Sequence, residues 1–486
     1  MSQILIQNLT FGFLDDALFD NVSLSIDTNF KLGLIGRNGR GKTTLLKLLQ
    51  GKFEHEGKIS SSVDFDYFPY IIQDTDCNVY ELAQVFAIHS QQWMIDCELN
   101  LLQLSKECRC RPYKSLSGGE QTKVLLALLF LKNDNFLLID EPTNHLDTDS
   151  RKTVSDYLKA KKGFILVSHD RSFLDGCVDH ILVLNKKKIE LQKGNFSSYE
   201  VNKEKQDNFE ISQNQKLVSE IERLKTAAKQ KNDWSNLAES KKSGAADKGF
   251  MGAKAARAMK TAKIIEKRQE KAIDDKLKLL KDIETADDLT LNYHACSHKR
   301  LVFAQNLALS FDSKVIFENL NFQVLCGDRI AICGKNGTGK TSLLKTISGF
   351  YKETSGKIDI VKGIKVSYVD QDISKLFGTP KEFIKEDKEI DCNIYFAILA
   401  KLGLDKSNMD TCLSKLSPGQ KKKVVLAKSI SQPSHIYLWD EPLNYIDILS
   451  RMQVQQMVLK SSSTMVFIEH DKAFCDAVAT NKIELT

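Results

Sequence analysis

The sequence predicts an α/β protein made of two tandem copies of one domain, joined by a long α-helical hairpin. Three observations lead there. A set of glycine-, acid- and histidine-bearing motifs occurs twice in the same order, at separations of 298, 300, 300 and 301 residues. Each motif adjoins a short apolar run that reads as a buried strand or as the start of a helix. Between the copies the composition shifts to Lys, Glu, Gln, Ala and Leu, with apolar residues at helical spacing. The predicted divisions are residues 1–203, 204–290 and 291–486.

The first element of each copy is strand, glycine-rich loop, helix. Leu32–Ile35 leads into Gly36-Arg37-Asn38-Gly39-Arg40-Gly41-Lys42-Thr43, and the loop recurs as Gly334-Lys335-Asn336-Gly337-Thr338-Gly339-Lys340-Thr341. This is the context of a P-loop, in which the glycines let backbone N–H groups converge on phosphate oxygens at a helix N-terminus. Lys42 and Lys340 then reach the β- and γ-phosphates, Thr43 and Thr341 offer hydroxyls to Mg²⁺, and Thr44 and Ser342 complete the ATP-binding sets.

The second element is a buried strand ending in two acids, Phe136–Ile139 before Asp140-Glu141 and Ile436–Trp439 before Asp440-Glu441. Paired acids at a strand end suit metal binding by Asp140 and Asp440 and orientation of an attacking water by Glu141 and Glu441. A third apolar strand precedes His169 and, in the other copy, His470. Both are read as catalytic residues that sense the γ-phosphate.

Composition narrows the class. A chain of 486 residues with 42% hydrophobic and 27% charged residues is long enough for several cores. Apolar stretches such as Val124 to Leu131 are far short of the roughly 20 residues a membrane-spanning helix needs. The N-terminus lacks the pattern of a secretory signal, so the expected location is cytoplasmic. Eleven scattered cysteines read as reduced thiols.

These motifs together resemble the ATP-binding-cassette family: P-loop, Leu116-Ser117-Gly118-Gly119-Glu120 signature, acidic strand end, the D-loops from Pro142 to Asp147 and Pro442 to Asp447, and the histidine stand in family order. The resemblance implies an ATPase in which each signature closes over nucleotide held by the other domain. Ser417 and Gly419 would complete the Lys42 site, and Ser117, Gly118 and Gly119 the Lys340 site. It also implies adenine stacking by Phe13 and Phe311, and a Q-loop glutamine at Gln371 that reaches the metal. Two departures fall on the Lys42 site: Tyr70 occupies the Q-loop position, with Gln73 nearby, and Pro418 interrupts the second signature. Slower hydrolysis at that site is the expectation.

In the central segment, Leu217, Ile221, Leu224 and Ala228, then Ile273, Leu277 and Leu280, mark two helices meeting along a seam, with a tip at 239–249. Each helix would run on the order of 35 residues. Residues 221–272 carry 14 Lys and Arg against 6 Asp and Glu, whereas the whole chain has 69 against 63. The chain's positive excess therefore lies in this element, as expected of one that approaches a polyphosphate. Lys254, Arg257 and Lys260 repeat at helical spacing among small residues, and Phe250 sits beside them near the tip. No DNA-reading module accompanies them, so the expected target is structured RNA and no DNA.

Paired cassettes with a basic helical linker resemble the ABC-F translation proteins, and within them the Lsa-type antibiotic-resistance branch. The quoted P-loop, Gly163–Arg171, Gly194-Asn195-Phe196-Ser197, Gly252–Met259 and Trp439–Tyr445 carry that likeness. It implies a monomer with ATP and Mg²⁺ that binds the E site of the 70S ribosome. The linker would then meet large-subunit rRNA and P-site tRNA near the peptidyl-transferase centre and displace lincosamide, streptogramin A or pleuromutilin antibiotics. A housekeeping ABC-F translation factor and the ATPase subunit of a membrane transporter are the alternatives.

Overall fold

The computed structural model describes residues 2–13, 16–86, 90–132, 135–144, 146–185, 189–240, 288–296, 298–311, 314–335, 337–374, 376–385, 387 and 389–485. The chain divides into two compact units, one of residues 1–199 with 286–486 and one of residues 200–285.

In the first unit each copy contains two sheets. The first copy opens with β1 (Gln3–Phe13), β2 (Asp16–Asp27), β3 (Lys31–Gly36) and β4 (Glu56–Ser61). It continues with β5 (Asp64–Phe68), β6 (Asn135–Asp140), β7 (Phe164–Val167), β8 (His180–Leu184) and β9 (Ile189–Lys193). An antiparallel sheet has the order β2-β1-β4, and a larger one the order β5-β6-β7-β3-β8-β9. All pairs in the larger sheet are parallel except β8 with β9. Helices cover one face of the larger sheet, and the helix Lys42–Leu49 with the antiparallel sheet covers the other, which is why β3, β6 and β7 read as unbroken apolar runs rather than alternating ones.

The second copy repeats the plan with β10 (Arg300–Phe311), β11 (Lys314–Leu325), β12 (Arg329–Gly334), β13 (Ser355–Ile360), β14 (Val366–Val369), β15 (Ile436–Asp440), β16 (Thr464–Ile468) and β17 (Asn481–Leu485). Its sheets have the orders β11-β10-β13 and β14-β15-β16-β12-β17. The repetition extends to the main chain. Asn8 and Asn306, and likewise Asn21 and Asn319, adopt positive φ at register shifts in the two antiparallel sheets. Asparagine tolerates that left-handed conformation better than other residues that carry a Cβ.

Parallel order places the functional loops together. β6, β7 and β3 are consecutive neighbours, so the segments leaving their C-terminal ends converge on one edge, where ligands bind in open α/β sheets. The β15-β16-β12 trio does the same in the second copy.

In the other unit the described residues belong to one helix, Phe196–Ser240, of 45 residues. It exceeds the predicted length because it starts within the first copy, where the Asn195 carboxamide accepts from the Ser198 backbone N–H at 3.1 Å. Ile221 on this helix is buried. The expected tip beyond Ser240, the second helix, and Phe250, Lys254, Arg257 and Lys260 lie outside the described residues.

Candidate functional site: two nucleotide sites, one of them closed across the repeats

The helices that follow the P-loops, Lys42–Leu49 and Lys340–Ile347, both begin at a glycine in the left-handed conformation, Gly41 at φ 87° and Gly339 at φ 90°. A side chain at Gly41 would also meet Leu18, whose Cδ2 lies 2.5 Å from an added Cβ. Neither helix start has a side-chain cap, whereas the helices after Ser117, Asp147 and Asp170 are capped by those residues. Uncapped N–H groups at a helix start are what a phosphate takes up. Lys42 Nζ donates to the Gly36 carbonyl at 2.8 Å, and Lys340 Nζ to the Gly334 and Lys335 carbonyls at 2.8 Å each. Burial lowers the pKa of both ammonium groups, against the pull of nearby carboxylates.

Around Lys42 the expected residues meet in one cavity of ≈ 410 Å³. It is lined by Asn38, Gly39, Gly41, Lys42, Thr43, Thr44, Asp140, Glu141 and His169 from the first copy, and by Ser417, Pro418, Gly419 and Tyr445 from the second. The Thr43 hydroxyl donates to Asp140 Oδ2 at 2.7 Å, which puts together the hydroxyl and carboxylate a magnesium ion needs. His169 Nε2 lies 3.2 Å from Glu141 Oε1. Burial, with Asp140 alongside, pushes the Glu141 carboxyl up to about 8. Burial, with Lys42 close by, holds His169 well below the ordinary histidine value.

The seam at this site is made by hydrogen bonds that cross between the copies. Asn38 Nδ2 donates to the Tyr445 carbonyl at 2.8 Å, and the Asn38 backbone N–H donates to Asp447 Oδ2 at 3.3 Å. Asp447 is fully buried and also accepts from Lys423 Nζ at 2.6 Å and from the Ser450 backbone N–H at 2.9 Å. These partners hold its carboxyl below the ordinary range despite burial, which acts the other way. Gly419 fits against Asn38 with no room for a Cβ, which would lie 2.4 Å from Asn38 Nδ2 and 2.5 Å from the Tyr445 oxygen.

At the second site His470 Nε2 lies 3.4 Å from Glu441 Oε1. Burial raises the Glu441 carboxyl, but hydrogen bonding to His470 and Gln371 outweighs this and holds it below the usual range. Asp440 is fully buried, and burial pushes its carboxyl up to about 6. Asp147 of the first copy lies close enough to Lys340 to favour its charge. Ser117 caps the helix Gly118–Phe130, with Gly118 and Gly119 in its first turn. Gly337 has φ 83°, and Ser342 follows Thr341 in the helix. Asn336 lies outside the described residues.

Glu141 and Glu441 share a feature that composition does not reveal: both have left-handed backbones, φ 53° and φ 46°. Their N–H groups donate to Val167 at 2.9 Å and Ile468 at 3.0 Å, the last residues of the neighbouring strands. Glutamate rarely adopts this conformation, and such strain collects at functional sites.

The Q-loop positions differ. Strand register aligns Phe68 with Ile139 and Val369 with Trp439, so Tyr70 and Gln371 stand at equivalent places. Gln371 reaches Glu441, whereas Tyr70 is half exposed and packs edge-on against Phe86 at 4.7 Å. Instead Tyr67 donates its hydroxyl to Asp140 Oδ2 at 2.8 Å, a contact the sequence reading did not anticipate. Phe311 is 42% exposed and packs edge-on against Tyr351, leaving area for a flat ring. The side chain of Phe13 lies outside the described residues.

Comparison with known proteins agrees with this arrangement. The family model described as ABC transporter matches residues 19–144 and 317–444. The chain is 28% identical over 492 residues to the ribosome protection protein VmlR of Bacillus subtilis (strain 168), covering 99% of this chain and 86% of that one. It is 26% identical to the ATP-binding protein Uup of Escherichia coli (strain K12), covering 99% and 80%. It is 25% identical to ABC transporter F family member 2 of Arabidopsis thaliana, covering 100% and 76%. The archaeal ribosome recycling factor aABCE1, solved in complex with ribosomal stalk protein aP1, shares the fold with a TM-score of 0.63 at 20% identity, covering 98% and 87%. Among the described residues no helix is long and apolar enough to cross a membrane. With two P-loops, two acid-histidine pairs and a family match in each repeat, the chain belongs to the ABC transporter family, as an ATP-binding and ATP-hydrolysing protein of the ABC-F type.

Proposed function

We propose that the chain is a cytoplasmic ribosome protection factor of the Lsa type. It binds the E site of the 70S ribosome with ATP at both sites, acts through its basic central segment on the peptidyl-transferase centre, and leaves on hydrolysis. The observation that carries this is the seam at Asn38, where Tyr445, Asp447 and Gly419 of one repeat close on the P-loop of the other. ATP held at such a seam favours the closed state through its differential affinity for it. The likeness to VmlR over nearly the whole chain supports the ribosome as target. The positive charge concentrated between residues 221 and 272 supports RNA as the surface met, with Lys254, Arg257, Lys260 and Phe250 near the contact.

In this reading Lys42 and Lys340 hold the β- and γ-phosphates, with Gly36, Gly39 and Gly41, and Gly334, Asn336, Gly337 and Gly339, shaping the loops around them. Thr43 with Asp140, and Thr341 with Asp440 and Gln371, would hold Mg²⁺, which supplies charge neutralisation on the phosphates when bound. Glu141 and Glu441 orient the attacking water, each with a histidine beside it. Phe13 and Phe311 stack on adenine.

The test is co-sedimentation of the Glu141→Gln, Glu441→Gln double variant with 70S ribosomes in ATP, together with growth of a susceptible Gram-positive host expressing the unaltered chain on a lincosamide, a pleuromutilin and a streptogramin A. Pelleting together with protection against at least one drug is expected. Pelleting without protection would assign a housekeeping translation role, and recovery with membranes would assign a transporter subunit.

A further inference from the structure

The helix Pro418–Ser431 touches both nucleotide sites. Its first turn brings Pro418 and Gly419 to the cavity around Lys42. One turn later Lys422, only 1% exposed, donates from Nζ to the Asp370 carbonyl at 2.9 Å and to the Asp440 carbonyl at 3.4 Å. Those carbonyls lie where the paired strands β14 and β15 end, immediately before Gln371 and Glu441. The ammonium group therefore grips the main chain on the N-terminal side of two residues that meet at the Lys340 site.

Comparison of the repeats indicates that this lysine is more than filler. Its counterpart in the first copy is Thr122, and the counterpart of Glu469 is Ser168. The second copy has thus gained a cation and an anion at two positions that are neutral in the first. Glu469 is buried, with one carboxylate oxygen accepting from the Leu443 N–H at 2.7 Å and the other from the His470 N–H at 3.0 Å. Its charge heads the carboxylates that favour the Lys422 ammonium, followed by Asp440, Glu441 and Asp370. A buried charge is costly unless it is hydrogen-bonded, and here each group is held by main-chain partners, Lys422 by two carbonyls and Glu469 by two N–H groups.

We propose that Lys422 is a positioning residue for ATP cleavage at the Lys340 site, holding Gln371 and Glu441 in register through the Asp370 and Asp440 carbonyls and linking them to the helix that closes the Lys42 site. The inference depends on the ATPase activity and is independent of what the ATPase acts upon. Glu469 fixes the other side of the same site, joining the D-loop at Leu443 to His470.

The experiment uses the full chain carrying Glu141→Gln, so that steady-state turnover reports the Lys340 site. Lys422→Met is compared with the double variant Lys422→Thr, Glu469→Ser, which restores the uncharged residues that the first copy carries at both positions. Loss of positioning lowers kcat by about ten-fold in both variants and moves KM for ATP less than about two-fold. A purely structural lysine gives a different pattern, in which kcat returns with the thermal midpoint in the double variant. That pattern overturns the proposal, as does an unchanged kcat in Lys422→Met or a KM that rises along with the loss of kcat.

Discussion

Asn38 and Tyr445 are separated by 407 positions, yet the carboxamide of one donates to the backbone carbonyl of the other at 2.8 Å. The bond joins the P-loop of the first cassette to the D-loop of the second. Gly419 completes the joint by leaving no volume for a side chain.

Gly419→Ala should therefore wedge the seam open. One clashing partner, the Asn38 amide, can swing away, but the Tyr445 oxygen is main chain and cannot do so cheaply. The expected result is an ATPase rate about ten-fold lower or worse, with KM for ATP raised, since the variant loses binding made in the closed state. Steady-state kinetics decide this, and a rate within two-fold of the parent would show that the seam is not on the hydrolysis path.

The carboxyl groups of Glu141 and Glu441 should respond oppositely to pH. Glu141 has a folded pKa of about 8, above the roughly 4.3 of an unfolded chain, so its ionisation opposes folding increasingly as pH rises between those values, by about 1.4 kcal/mol per unit. Without nucleotide, Glu141→Gln should raise the thermal midpoint at pH 8.5 and have little effect near pH 5. Glu441 is held low, so its carboxylate stabilises the fold above the unfolded pKa and ceases to do so as pH falls through its folded value. Glu441→Gln should lower the midpoint at pH 7 to 8.5, and midpoints that shift in the same direction for both variants would contradict the assignment.

Hydrolysis should be unequal. Gln371 reaches Glu441, while its counterpart Tyr70 lies against Phe86 and Tyr67 occupies the Asp140 carboxylate. In single-turnover assays the Glu441→Gln variant, left with the Lys42 site, should cleave ATP about ten-fold more slowly than Glu141→Gln. Equal residual rates would remove the asymmetry.

Lys423→Met should destabilise the chain strongly, because it strands Asp447 with no accessible water. Breaking a buried pair from one side costs roughly 3–5 kcal/mol. Adding Asp447→Asn should recover part of the loss in thermal midpoint, and no recovery would mean the pair is not the cause.

The parts of the site legible in the sequence are those whose residues are covalent neighbours. The glycine loops, the acids at the ends of β6 and β15 and the histidines after β7 and β16 each carry their own context of strand and turn. Legibility failed where the partner comes from elsewhere in the fold. Nothing in the spacing brings Asp447 to the Asn38 N–H, Tyr67 to Asp140, or Lys422 to the Asp370 and Asp440 carbonyls. Lys422 is the middle one of three consecutive lysines, a pattern that normally faces water. The positive φ of Glu141 and Glu441 has no sequence signal either, because glycine, which ordinarily marks that conformation, is replaced by the residue the chemistry requires. The helix Phe196–Ser240 was recognisable from its period, but its start was not, since Asn195 lies inside a segment that reads as part of the first domain.

The seam at Asn38 lies wholly within one polypeptide. Its two halves meet at an effective concentration set by the connecting chain rather than by the abundance of the protein. Contacts too weak to pair two separate molecules can therefore govern opening and closing here. The engagement of Asn38 with Tyr445 and Asp447 becomes a unimolecular equilibrium whose position is independent of expression level, so the response to ATP is the same whether a cell holds few copies or many.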